Sequence, residues 1–207
     1  MTRQHKHTSL NEKLEIYQAT SARYREWYGD QDGQGGSCLY WSLTLMGVLL
    51  QHGYRALIQA GSMSWPIVPP GEDDGKSPTH FAYEWSPWRE ESQAALKLGL
   101  LPEIHVWVGL PDQNELLDFS TKFLPQQAAK DGLAWRTAPP PDFLWCGPSE
   151  LPDGVIYKPD LGAIGFILNR IEHKVAAVLV HPRIRGSRQR VPGTGQGQEW
   201  KTRPTAC

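Results

Sequence analysis

Three residues have the types and surroundings that nucleophilic thiol chemistry needs: Cys38, His105 and Asp118. Such chemistry requires conditions that favour the thiolate, a base beside the sulfur, and a group that orients the base. Cys38 follows QGGS directly and opens a long apolar run, which puts it at or next to the first residue of a helix. The unpaired N–H groups of a first helical turn favour negative charge. They are also suited to hold an oxyanion as it develops on an attacked carbonyl. Gly35 and Gly36 leave room for close approach of a substrate, and Gln34 or Gln31, just ahead of the cysteine, are either ordinary loop amides, the commoner fate, or donors to that oxyanion. The competing reading of Cys38 is an inert core cysteine, since cysteine is among the most buried residue types.

His105 and Asp118 come together through a hairpin. The segment IHVWVGLPDQNELLDFS, residues 104–120, carries a Pro-Asp pair suited to the centre of a type I turn. If Leu110 faces Gln113, His105 lies directly opposite Asp118, with Trp107 and Leu116 on the same face. Directly opposed Cβ atoms sit roughly 4.5–5.5 Å apart, within reach of an imidazole–carboxylate hydrogen bond. Ile104, Val106, Val108, Leu117 and Phe119 take the other face and pack on a core. Type I is not the favoured two-residue hairpin turn, so a longer loop is expected, and it preserves the pair only if it grows symmetrically.

Other candidates compete or assist. His80 opens the HFAYEW strand and is a rival base or a cleft-lining residue, but it has no opposing acid. Trp41, Trp65, Trp85 and Trp107 are candidates for the walls of a substrate groove, although core packing is the commoner fate of tryptophan. A zinc site built from Cys38, His80, His105 and Asp118 has suitable ligand types and no short ligand spacing, so no metal and no cofactor are expected.

The elements that must position these groups follow from periodicity and punctuation. An amphipathic helix is expected over Asn11 to Tyr28. Gly29 to Gly36 is a loop, Ser37 an N-cap, and Cys38 to His52 a buried helix that Gly53 stops. Strands are expected at 55–64, 80–85, 104–108 and 115–120, with a short helical piece near 90–98. Residues 125–153, rich in proline, read as mostly irregular. The runs 155–167 and 175–180 add strands or a strand and a helix. A buried helix followed by antiparallel strands is an α+β pattern.

The whole chain has 207 residues, 40% of them hydrophobic, enough for one domain with a real core. Residues 1–10 read as a frayed end, 11–181 as a single domain, and 182–207 as a basic, disordered tail with six Lys/Arg against Glu199 alone. Three cysteines without a CxxC pair argue against a disulfide framework. The N-terminal residues show no apolar signal region and no run is long enough to span a bilayer, so a cytoplasmic location is expected.

The order of a Cys after a Gly-containing loop, an H-x-W strand and an Asp strand resembles the transglutaminase-like superfamily of papain-type folds, over about residues 31–124. Cys38, His105 with Trp107, and Asp118 in LLDFST fall on the positions of that motif. GGSC is similar to the G-G-x-C loop of arylamine N-acetyltransferases, with Gln34 where those enzymes carry Arg. Residues 37–62 are similar to the lasso-peptide leader proteases of the same superfamily. The resemblance implies a papain-like α+β fold, a buried N-terminal helix bearing the Cys packed on an antiparallel sheet, and a Cys-His-Asp triad. It implies an acyl-transfer enzyme, first an amide or peptide hydrolase, working through an acyl-thioester on a peptide, protein or small acyl substrate. The alternative is a catalytically silent peptide- or protein-binding module on the same fold. Nucleic acid and membranes are not expected partners.

Overall fold

The computed structural model describes residues 8–29, 37–73, 75, 78–98 and 102–169. The expected run at 175–180 and the basic tail at 182–207 lie outside the described residues, as do Gln31, Gln34, Gly35 and Gly36.

Helix α1 spans Leu10–Tyr28, and Ser9 caps it by accepting a hydrogen bond from the Glu12 N–H. Thr8, within the expected frayed end 1–10, is buried and bonded to the Tyr54 hydroxyl. Ile16, Thr20 and Tyr24, spaced one turn apart, form the buried stripe of α1. Tyr24 stacks on Trp41 of the second helix, with ring centroids 4.2 Å apart.

Helix α2 spans Ser37–Gln51. Ser37 is its first residue, not a residue outside it, so Cys38 is the second. Gly53 at φ 82° ends it, with its N–H bonded to the Leu50 carbonyl and the Tyr54 N–H bonded to the Leu49 carbonyl. This pair of bonds is a Schellman stop, which glycine allows without strain.

Among the described residues six strands follow, all antiparallel where paired: β1 (Leu57–Pro66), β2 (His80–Tyr83), β3 (His105–Leu110), β4 (Glu115–Asp118), β5 (Leu144–Cys146) and β6 (Ile156–Pro159). They form one sheet in the order β2-β1-β3-β4-β5, with β6 also paired to β1. The short helices α3 (Glu90–Lys97) and α4 (Leu124–Lys130) and a helical segment at 161–169 complete the described chain. The protein is thus α+β. Where the proline-rich stretch 125–153 reads as irregular, the structure has α4 and β5. Pro125 falls in the first turn of α4, where its missing N–H is harmless.

The two faces of the sheet carry separate cores. Ile58, Ala60, Val106, Val108 and Leu117 pack with α1 and α2, whereas Met63, Trp65, Trp107, Leu116, Leu144 and Cys146 pack with Leu124 and Ala128 of α4. That alternation along β3 and β4 is the one the hairpin pattern predicts.

Candidate active site

The β3–β4 pairing places Val108 against Leu117, Gly109 against Leu116 and Leu110 against Glu115. The connection is therefore four residues, 111–114, with Asn114 in the left-handed region at φ 56°. This corrects the directly opposed pair. Continuing the register sets Trp107 opposite Asp118, which leaves His105 as the diagonal neighbour of Asp118 on the same face. The loop grew by two residues, both on the β4 side, so the pairing slipped by two and the face survived although the partner changed. Diagonal pairs lie about 7–8 Å apart at the backbone, a gap that a long side chain spans. Here His105 Nε2 reaches Asp118 Oδ2 at 2.6 Å.

Both members of the pair are 1% exposed. Asp118 ends β4 because its own Oδ1 accepts the Ser120 N–H at 2.9 Å, an Asx-type turn, and the Ser120 hydroxyl at 2.7 Å. The Tyr157 hydroxyl, delivered by β6, donates to Oδ2 at 2.7 Å. Burial alone would raise the Asp118 pKa, but the His105 charge and these donors hold it below the ordinary carboxylate value. Burial would likewise lower the His105 pKa, yet Asp118 and Cys38 together raise it to about 10. This raised pKa favours the protonated ring at neutral pH.

Cys38 meets the ring from α2. Ser42, one turn further along the same helix face, donates to the Val106 carbonyl at 3.0 Å, which fixes this end of α2 over the start of β3. Cys38 lies close enough to the His105 ring to help raise its pKa. No hydrogen bond of normal geometry reaches His105 Nδ1, which is buried and otherwise unpartnered. Cys38 is itself only 6% exposed. Tyr83 stacks on the imidazole with centroids 5.1 Å apart and planes at 25°, an arrangement favourable to a cationic ring.

The remaining sequence candidates separate. Trp107 is buried beside His105, 6.2 Å between centroids, and with Tyr157, Leu116, Leu151 and Pro159 it lines a cleft of about 350 Å³. Trp41, Trp65 and Trp85 are buried in the cores. His80 is exposed at the start of β2, hydrogen-bonded through Nδ1 to the Thr79 hydroxyl. Among the described residues no three or more His, Cys, Asp and Glu side chains converge as a metal site, and no helix is long and apolar enough to cross a membrane.

Sequence reasoning missed Ser120, Tyr83 and Tyr157. Ser120 was findable, since Asp followed two residues later by Ser is a side-chain turn signal. Tyr83 lies in a recognised strand, but its place over His105 depends on β2 and β3 both pairing β1. Tyr157 comes from a strand 39 residues beyond Asp118 and had no local signal.

No family model and no curated protein matches the chain. One solved structure, described as "The crystal structure of genomics APC5867", is similar at a TM-score of 0.48 and 14% identity, over 83% of this chain and 75% of that one. A likeness at that level carries no argument about fold or function.

Proposed function

We propose that the chain is a cysteine-dependent acyl-transfer enzyme, acting first as an amide or peptide hydrolase, on a fold of the transglutaminase-like, papain type. The observation that carries this reading is the buried His105 ring. One nitrogen is anchored on Asp118, and the other, unpartnered, stands beside a thiol in the first turn of a helix. Cys38 Sγ attacks the carbonyl carbon of an amide, ester or thioester. The leaving group takes the proton from His105 and departs, leaving an acyl-thioester. Water then gives one proton to His105 as it attacks, the C–S bond breaks, the product acid loses its remaining proton to solvent, and the Cys38–His105 pair returns to its starting state. Asp118 keeps the imidazole in one tautomer and orientation throughout.

The low exposure of Cys38 favours a second reading, a binding module on the same fold that does not turn over, with the cleft beside Trp107 and Tyr157 as its pocket. Alkylation separates the two. Iodoacetamide is expected to label Cys38 already in the acid range, at about pH 5.5, because the neighbouring His105 ring activates a catalytic thiol. His105→Ala is expected to abolish that acid-range labelling. Labelling that appears only above about pH 8 and ignores His105→Ala would establish the binding module instead.

A further inference from the structure

Asp118 is saturated. His105 Nε2 and the Tyr157 hydroxyl share Oδ2, at 2.6 and 2.7 Å, while the Ser120 N–H and hydroxyl share Oδ1. Two donors on each oxygen fill the acceptor capacity of a carboxylate. Each donor disperses the negative charge and leaves the carboxylate a weaker partner for the others. Tyr157 and His105 therefore draw on one oxygen in competition.

We propose that Tyr157 is a positioning residue that tempers Asp118, limiting how firmly the carboxylate holds the His105 proton so that the ring can release it to a leaving group. The inference deepens the thiol-enzyme reading and rests on it for its purpose. The Tyr157 phenol itself stays a donor, because burial and the Asp118 charge push its pKa well above the ordinary value. The titratable groups facing the ring are Cys38 from α2, Tyr83 from β2, Asp118 from β4 and Tyr157 from β6, with Cys146 of β5 acting on Tyr157 and Glu103 and Asp131 acting on Tyr83. None of these is a cation. The proton affinity of His105 is thus governed by Cys38, by Asp118 and by how many donors Asp118 must serve. Gly61 of β1 makes the arrangement possible, since it pairs with His105 and with Pro159 and lets β6 lie close enough to bring in Tyr157.

Tyr157→Phe keeps the ring, which packs edge-on against Trp107 at 5.2 Å, and removes only the donor. The His105 titration, followed by NMR of the ring carbon in histidine-labelled full-length protein, is expected to move up by roughly 0.5–1 pH unit. Ser120→Ala removes a donor from the other oxygen without touching β6 and is expected to move it the same way. A titration unmoved or lowered in both variants would overturn the inference. The measurement needs no turnover, so its failure is distinct from that of the enzymatic reading, which acid-range alkylation of the wild-type protein decides.

Discussion

At the scale of single residues, the proposed thiol chemistry depends on three side chains reaching one another inside the protein, where a bare charge is expensive. His105 and Asp118 settle that expense jointly, and the result is a linked pH dependence. The His105 pKa rises from 6.5 to about 10, so its contribution to stability is complete below pH 6.5 and disappears as pH climbs through about 10. Asp118 is held below 3.8, so its contribution is present above that value and is lost as pH falls further. The thermal midpoint of the wild-type protein is expected to fall between pH 6.5 and 10 more steeply than that of His105→Gln. Parallel curves would contradict an imidazolium at this position. The identities of Cys38, His105 and Asp118 were legible in the sequence because each lies beside a strong local signal: a Gly-rich loop, an alternating strand, a turn. Tyr157 was not, because its partner is distant in the chain and a tyrosine in a short strand looks like any other.

At the scale of elements, two joints decide whether the site exists. One is the β3–β4 connection, whose face is fixed by apolar alternation in VWV and LL while its exact pairing is fixed by the loop. The sequence pattern therefore determined which side His105 and Asp118 share, and left the diagonal offset to the four-residue turn and its left-handed Asn114. The other joint is the approach of β6 to β1 at Gly61, where a Cβ would stand 2.2 Å from the Lys158 carbonyl oxygen. Gly61→Ala is expected to push β6 away and separate Tyr157 from Asp118, with a loss of about 1–3 kcal/mol for overpacking. Urea unfolding measures the loss, and faster hydrogen exchange at residues 156–159 locates it. Unchanged exchange there would show that β6 does not depend on the close approach. Nothing in the sequence marked this glycine, since close packing between strands far apart in the chain leaves no local pattern.

At the scale of the whole molecule, the sheet separates two cores. α1 and α2 cover one face, α4 covers part of the other, and Cys38, His105 and Asp118 sit where the start of α2 meets the start of β3. The α+β class followed from a buried helix preceding strands, and the structure agrees. α4 and β5 were hidden by prolines that sit in permitted positions, one of them in a first helical turn. A rigid frame of this kind holds the imidazole on its carboxylate and sets the thiol of α2 beside it. The most direct measurement of what that frame is for is intact-mass spectrometry after exposure to a panel of ester, thioester and amide acyl donors. One acyl group is expected on Cys38, released by water in the wild-type protein and not formed in His105→Ala. The absence of any acyl adduct on Cys38 across the panel, or an adduct indifferent to His105→Ala, would contradict it.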